Sequence, residues 1–309
     1  MPGSRARLTY LAFRAGSAAA ELVPFPMAAA LARAGGRIGH RRMHGRRAMA
    51  ARHQRRAGAV DVDRSVRAVF DSYARYWLEL LRLPRDVRRD EVLARFDAEG
   101  FEHVEAALSR GKGAVVALPH LGGWEYAAAW MGALGHRMLA VVEPIEPPEL
   151  FDWFLAQREL LGLDIVPLGP DAPAHLLHGL RDNRIVCLLS DRDLTGDGVE
   201  VEFFGERTTL PGGPAILALR TGAALLPSAV YFTAGRGHHA VIRPPMPVAR
   251  EGRLRDDIAR ITQLLAYELE ALIRRAPEQW HLMQPNWPSD RDEAPAAVAD
   301  AGEDVPCAS

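Results

Sequence analysis

The chain has 309 residues, of which 48% are hydrophobic and 25% are charged, as is usual for a folded globular protein. Its 38 Lys and Arg residues nearly balance its 39 Asp and Glu residues, so the net charge of -1 gives no reason to expect a nucleic-acid partner. The two cysteines, Cys187 and Cys307, are too few for a disulfide framework or a cysteine zinc site, and no histidine cluster has metal-ligand spacing. We therefore expect no bound metal.

Residues 1–60 are predicted to form a basic amphipathic helical segment. No acidic residue occurs between Glu21 and Asp61. The arginines in this interval are Arg33, Arg37, Arg41, Arg42, Arg46, Arg47, Arg52, Arg55 and Arg56. Basic and apolar helices side by side are typical of attachment to an anionic membrane surface, and a solvated face packed on the domain is the alternative. Binding of nucleic acid is disfavoured because the patch lacks interleaved aromatic residues. No run of about 18 uncharged apolar residues occurs, so any membrane contact is expected to be peripheral.

Residues 61–289 are predicted to form one α/β domain. Apolar residues three and four apart predict a helix over 65–81 that ends before Pro84, and a second helix over 90–109. Short apolar runs then predict strands at 114–118, 138–142, 164–168, 185–189, 225–231 and 239–242. Further helices are predicted at 124–134, 148–161, 174–181, 215–220 and 254–275. Apolar strands that alternate with helices predict a mostly parallel central sheet flanked by helices on both faces. Residues 290–309 have little to bury and are predicted to form a disordered acidic tail.

Polar side chains follow three of the predicted strands. His120 comes after the first strand, Glu143 after the second and Asp191 after the fourth. Because ligands of open parallel sheets bind outside the carboxyl ends of the strands, these side chains are candidates for a site. An imidazole titrates near neutral pH, and a carboxylate can fix its tautomer, so the pair suits general-base catalysis. The sequence therefore predicts His120 as the base and Asp191 as the acid that orients it.

Two other acids are candidates for the role of Asp191. Glu125 lies five residues after His120, and it either contacts His120 directly or anchors an arginine, for which Arg158 on a later helix is the candidate. Glu200 alternates with apolar neighbours, as residues of an edge strand do, and is the second candidate for orienting His120.

Four segments resemble one bacterial enzyme family. They are HLGGWE at 120–125, DRDLTGDGVEVEFFG at 191–205, LPGGPA at 210–215 and QWHLMQPNWP at 279–288. They resemble the bacterial lipid A biosynthesis lauroyl and myristoyl acyltransferases, and they look most like the actinobacterial members that acylate phosphatidylinositol mannosides. The histidine of that family falls on His120 and its following acid on Glu125, where many members have Asp. Its second acidic position falls on Asp191, with Glu200 as the other possible match.

The resemblance implies transfer of a fatty acyl chain, typically palmitoyl, from acyl-CoA to a mannose hydroxyl of a phosphatidylinositol mannoside. It places the reaction at the cytoplasmic face of the cell membrane, with acyl-CoA as co-substrate. We also expect a peripheral monomer without a bound cofactor. Glu143 and Arg158 match charged positions that line the same cleft, and Arg192 and Asp193 are also expected to bind substrate. The alternatives are a different glycolipid or a lysophospholipid as acceptor, or a membrane protein that binds lipid without catalysis.

Overall fold

Helices and strands alternate through most of the chain. The computed structural model describes residues 2–89, 91–143, 145–159 and 161–292. The helices are α1 (Pro2–Leu22), α2 (Phe25–Arg42), α3 (His44–Arg56), α4 (Val62–Arg88), α5 (Phe101–Ser109), α6 (Trp124–Ala133), α7 (Pro148–Glu159), α8 (Ala172–Arg181), α9 (Gly213–Thr221), α10 (Leu254–Arg275) and α11 (Pro288–Asp292). The strands are β1 (Phe96–Glu99), β2 (Ala114–Leu118), β3 (Met138–Val142), β4 (Leu163–Pro167), β5 (Ile185–Leu189), β6 (Val199–Phe203), β7 (Glu206–Leu210), β8 (Ala224–Phe232) and β9 (His238–Ile242).

Seven of these strands form one central sheet in the order β1-β9-β8-β2-β5-β3-β4. The neighbours from β8 to β4 are all parallel, β1 is parallel to β9, and the β8–β9 hairpin supplies the antiparallel pair. Strands β6 and β7 form a separate antiparallel hairpin. The predicted class, a mostly parallel sheet between helices, is confirmed.

The apolar side chains of the sheet alternate between two cores. On β2, Val115 and Ala117 belong to one core, and Val116 and Leu118 belong to the other. Helices α8, α9 and α10 cover the first face, and α5 and α6, with α4 outside them, cover the second. A strand buried on both faces needs apolar residues at every position, which is why these strands lack polar alternation.

Helix α4 extends further than the sequence predicted. The predicted end before Pro84 is wrong, because the helix continues through this proline to Arg88. Proline cannot donate its backbone hydrogen bond, but tertiary contacts of the last turns offset that loss. The buried guanidinium of Arg82 donates to the backbone carbonyl of Val23 at 2.8 Å, and the buried Asp86 carboxylate accepts from Arg95 at 3.0 Å.

The predicted helix over 90–109 is also wrong in its first half. A short 3-10 turn over Leu93–Arg95 leads into the edge strand β1, and only α5 is an α-helix. Strand β1 has the sequence FDAE, in which Asp and Glu have low strand propensity. Its pairing with β9 therefore comes from tertiary contact, which local pattern does not reveal.

Helices α1, α2 and α3 all pack against α4 on the outside of the domain. Across the described residues, none of the helices combines the length and apolarity needed to cross a bilayer. At the other end of the chain, Asp290 is fully buried and accepts a hydrogen bond from Arg56 of α3 at 2.8 Å. The folded body therefore continues past the predicted boundary at 290, and the rest of the predicted tail, from 293 onward, lies outside the described residues.

Candidate active site

His120 and Asp191 lie side by side because their strands are in register. In the parallel pair of β2 and β5, Leu118 is paired with Leu189. His120 and Asp191 each follow two residues later, and the Ser190 amide donates to the Leu118 carbonyl at 2.8 Å between them. The carboxyl ends of two neighbouring strands thus bring an imidazole and a carboxylate to the same point, as the sequence predicted.

A short hydrogen bond joins the two side chains. His120 Nδ1 lies 2.6 Å from Asp191 Oδ1, and the His120 backbone amide donates to Asp191 Oδ2 at 3.1 Å. The carboxylate can only accept, so this contact holds the proton on Nδ1 and leaves Nε2 as the basic nitrogen. The His120 side chain is 11% exposed and Asp191 is fully buried, so the base is accessible while its partner is shielded from water.

Trp280 supplies a third donor to the same carboxylate. Its buried indole Nε1 donates to Asp191 Oδ2 at 2.7 Å, and its backbone bridges to Leu121 beside His120. Burial acts to raise the pKa of Asp191, but the charge of His120 and the donated hydrogen bonds outweigh it and hold that pKa below the ordinary value. Asp191 therefore stays ionised at neutral pH.

His120 lines a narrow cleft between α4, the start of α6 and the loop after Trp280. The residues around it are Tyr73, Tyr76, His120, Trp124, Arg192, His281, Leu282 and Gln284. Arg192 is half-buried and forms no ion pair with the described residues, so it offers a cation beside the imidazole. Such a group can bind a phosphate or stabilise a developing oxyanion.

His281 is a second imidazole in this cleft. Its Nε2 lies 2.9 Å from Ser72 Oγ, and its backbone amide donates to the His120 carbonyl at 2.8 Å. Burial and then the charge of His120 lower the pKa of His281 to about 3. This ring is therefore neutral at physiological pH and does not compete with His120 for a proton.

Glu125 is oriented away from His120 in the structure. It lies in the first turn of α6, where its Oε1 accepts from Arg158 Nη2 of α7 and from the Tyr76 hydroxyl of α4, each at 3.0 Å. Burial raises the pKa of Glu125, against the opposing effect of Arg158. Of the two predicted arrangements, the structure has the anchor: the buried Glu125–Arg158 pair joins three helices behind the cleft. Both residues are 2% exposed.

An apolar cavity begins on the other side of Trp124. Its volume is about 60 Å³, and it extends from Leu118 at the carboxyl end of β2 to Met138, Leu163 and Ile185 at the amino ends of their strands. Cys187 also lines it, and burial raises the pKa of this thiol to about 12. The thiol is therefore protonated and suits packing, because a thiolate is the nucleophilic form.

Three of the predicted site residues lie elsewhere. Glu143 is exposed after β3 and is not among the described residues that line the cleft. Asp193 ties its own turn together, because its carboxylate accepts from the amides of Gly196 and Gly198, each at 2.9 Å. Glu200 is exposed on β6 and faces Arg207 at 3.4 Å, so the acid that contacts His120 is Asp191 and not Glu200. Within the described chain, no three His, Cys, Asp or Glu residues converge as ligands of a metal ion.

Trp280, His281 and Tyr76 are site residues that the sequence alone did not identify. The only signal for Trp280 and His281 was the aromatic-rich segment 279–288, since a buried indole must find a hydrogen-bond partner, whereas Tyr76 was one of the apolar positions of the predicted helix over 65–81. Which partner it finds depends on the bridge between Leu121 and Trp280, which joins segments 159 positions apart.

The chain is similar to known bacterial proteins of one family. Residues 6–289 match the family described as bacterial lipid A biosynthesis acyltransferase. The phosphatidylinositol mannoside acyltransferase of Mycobacterium tuberculosis (strain H37Rv) is 41% identical over 232 residues, which cover 74% of this chain and 71% of that protein. The protein of that name from Mycolicibacterium smegmatis is 40% identical over 231 residues, 74% of each chain. A lipid A biosynthesis acyltransferase of Haemophilus influenzae is 28% identical over 187 residues, 59% of this chain and 55% of its own length.

Proposed function

Because the chain belongs to the bacterial lipid A biosynthesis acyltransferase family, we propose that it transfers a fatty acyl chain from acyl-CoA to a mannose hydroxyl of a phosphatidylinositol mannoside. In this proposal the chain transferred is palmitoyl and His120 is the general base. The acceptor is inferred from the mycobacterial relatives, which are 40% and 41% identical to this chain and whose names state that acceptor.

One observation carries the proposal. The His120–Asp191 pair, joined at 2.6 Å, lies at the carboxyl edge of the sheet in a cleft that adjoins an apolar cavity across Trp124. Transfer of an acyl chain to an alcohol needs a base at the hydroxyl and an apolar space for the alkyl tail. Both requirements are met here, because only the Trp124 side chain separates the base from the apolar cavity.

The reaction needs no covalent intermediate on the enzyme. His120 Nε2 takes the proton of the sugar hydroxyl as its oxygen attacks the thioester carbonyl carbon. The tetrahedral intermediate then collapses, the C–S bond breaks, and the departing thiolate takes the proton back from His120. The products are the ester and free coenzyme A, and the charges on His120 and Asp191 return to their starting state.

Arg192 is the group best suited to the negative charge in this reaction. It is half-buried in the cleft beside His120 and has no carboxylate partner in the described part of the chain. A guanidinium can pair with the tetrahedral oxyanion or with a phosphate of acyl-CoA. Asp193 supports it indirectly, by holding the turn that follows Arg192.

The apolar cavity is the proposed site of the donor chain. A parallel strand rises about 3.3 Å per residue, so the length of β2 and β5 gives a path of about 16 Å along the sheet. At about 60 Å³ the cavity is narrow, so a long alkyl chain would enter it by displacing adaptable side chains such as the unbranched Met131.

The first three helices are the proposed membrane contact. Large apolar side chains of these helices are exposed, namely Leu8, Leu11, Leu22, Met27, Leu31 and Ile38, and so is Met43 between α2 and α3. They alternate with the arginines of α2 and α3, an arrangement that suits peripheral binding to anionic lipid, where each cation near the surface contributes about 1 kcal/mol. We propose that the protein acts as a monomer on the cytoplasmic face of the cell membrane, where acyl-CoA is supplied.

A panel of acceptors tests the function. The full-length protein is incubated with labelled palmitoyl-CoA and, separately, a phosphatidylinositol mannoside, another glycolipid, a lysophospholipid or no acceptor, and products are identified by mass spectrometry. We expect palmitoylated mannoside as the main product and slow hydrolysis without acceptor. Faster transfer to one of the other lipids would assign a different acceptor, and no transfer to any of them would favour a lipid-binding protein without catalysis.

A further inference from the structure

We propose that an apolar groove between α1, α2 and α4 binds one fatty acyl tail of the acceptor lipid, with Arg46 in the wall of one half to contact the phosphate of the acceptor. This inference rests on the proposed function, because it concerns a diacyl, anionic acceptor. It assigns that lipid a binding site on the protein that is separate from the site of the donor chain.

The groove is formed by two adjoining depressions with volumes of about 300 Å³ and about 390 Å³. They share five lining residues of α2 and α4, so they lie next to each other along these two helices, and we treat them as the two halves of one groove. The shared residues are Gly35, Gly36, Ala74, Trp77 and Leu81. The walls are almost entirely apolar, and small residues of α1 such as Gly16 and Ala19 leave the space open. An alkyl chain laid there removes apolar surface of both lipid and protein from water.

Tyr73 connects this groove to the reaction centre. One face of α4 presents Tyr73 to both the groove and the cleft that contains His120. The donor cavity lies on the opposite side of the cleft, beyond Trp124. A donor chain and an acceptor tail in these two spaces would therefore approach His120 from different sides, as two substrates of one transfer must.

The charge in the groove wall selects the occupant. Arg46 of α3 lines it beside Met43, is half-buried, and makes no ion pair within the described ranges. None of the described residues that border the groove is acidic, whereas arginines are numerous on α2 and α3 around it. An uncharged fatty tail with an anionic phosphate near its head matches this pattern, because arginine pairs with phosphate in a planar, bidentate way.

Gly35 makes the groove testable. It lines both halves of the channel, and a Cβ placed on it meets no atom within 4 Å. Gly35→Phe therefore places a ring in the channel without a backbone clash, and Gly252→Phe, at an exposed glycine outside the groove with the same free space, is the matched control. Gly16 has the same free space on α1, so Gly16→Phe repeats the obstruction from the other wall.

The experiment measures steady-state transfer by the full-length protein to a diacyl phosphatidylinositol mannoside in mixed micelles and to the deacylated, water-soluble head group. We expect Gly35→Phe and Gly16→Phe to raise KM for the diacyl acceptor about tenfold or more and to leave KM for the head group within about twofold. The control Gly252→Phe should match wild type with both acceptors. Arg46→Gln is expected to raise KM for both acceptors about fivefold, because both retain the phosphate. Equal effects of Gly35→Phe on both acceptors, or no effect on either, would overturn the proposal.

A binding measurement separates this inference from the proposed function. Photo-crosslinking with a phosphatidylinositol that carries a photoreactive tail needs no turnover, and we expect crosslinks to peptides of α1 and α2 that Gly35→Phe removes. Loss of transfer in all acceptor assays together with intact crosslinking would reject the enzyme activity and retain the groove. Crosslinks that persist in Gly35→Phe would show that the helices contact the bilayer and hold no tail. The same would follow if Gly35→Phe lost sedimentation with anionic vesicles to the same extent as it lost crosslinking.

Discussion

The substitution Asp191→Asn tests the central pair at the level of single atoms. Asp191 Oδ2 accepts two hydrogen bonds, from the His120 amide at 3.1 Å and from Trp280 Nε1 at 2.7 Å, and Oδ1 faces His120 Nδ1 at 2.6 Å. The asparagine oxygen is expected to keep the Oδ2 position, because both of its neighbours are donors. The amide nitrogen then faces Nδ1, which must accept, so the proton of the imidazole moves to Nε2.

An imidazole in that tautomer cannot take a proton from the acceptor hydroxyl. General-base catalysis contributes about 10²- to 10⁴-fold, so kcat/KM is expected to fall by that factor, which corresponds to about 3–5 kcal/mol of transition-state stabilisation. The assay is initial-rate transfer of labelled palmitoyl to the mannoside acceptor, with circular dichroism to check folding. Glu200→Gln is the comparison, since Glu200 is exposed and faces Arg207, and its rate should match wild type. The reasoning would be refuted if Asp191→Asn retained activity, or if Glu200→Gln lost as much.

Three further predictions concern the surroundings of the pair. Arg158→Met leaves the buried Glu125 carboxylate without its cation and should lower the free energy of unfolding in urea by about 3–5 kcal/mol. The double variant with Glu125→Gln should recover part of this loss. A loss below about 1 kcal/mol in Arg158→Met would contradict the buried pair. The pKa of His281 is lowered from 6.5 to about 3 in the folded protein, so between these pH values only the unfolded chain binds the proton and stability falls as pH decreases. From pH 7 to pH 5 the free energy of unfolding of wild type should fall by about 2 kcal/mol more than that of His281→Gln. Equal losses in the two proteins would reject the neutral ring. Ile185→Phe, at the far end of the apolar cavity, should shift donor preference in competition assays toward shorter acyl-CoA. The control Val186→Phe crowds the opposite face of β5 and should reduce thermal stability without that shift. An unchanged preference in Ile185→Phe would place the donor chain elsewhere.

The sequence was sufficient for the parts of the fold and site that depend on local pattern. The buried strands β2, β3 and β5 have the predicted bounds, because uninterrupted apolar runs are diagnostic of parallel strands covered on both faces. The approach of His120 and Asp191 followed from the same pattern, since each is the second residue beyond a strand end. Their contact required only that β2 and β5 be neighbours in register.

Contacts between distant segments account for what the sequence did not reveal. The stop expected at Pro84 and the helix expected over 90–109 were local inferences that tertiary contacts override, through the buried Asp86 in one case and pairing with β9 in the other. For Glu125, the sequence left both arrangements open, because contact with His120 depended on where the helix begins. The choice of Arg158 depends on how α7 packs against α6, which spacing alone does not determine.

Trp280 is the clearest case of a site residue hidden from local reasoning. It lies 89 positions from Asp191, yet it completes the hydrogen bonds of that carboxylate. An aromatic-rich segment predicts burial, but it does not predict which buried acceptor the indole will meet. Only the closure of the chain over the sheet edge brings the two together.

The most direct test of the account is acyl transfer by His120→Ala with substrate binding measured in parallel. The labelled ester of the mannoside is quantified by mass spectrometry, and binding of a nonhydrolysable acyl-CoA analogue is measured by calorimetry. The account predicts a loss of transfer of at least about 10²-fold with the affinity for the analogue within about threefold of wild type. Transfer at the wild-type rate by this variant would contradict the assignment of His120 as the base.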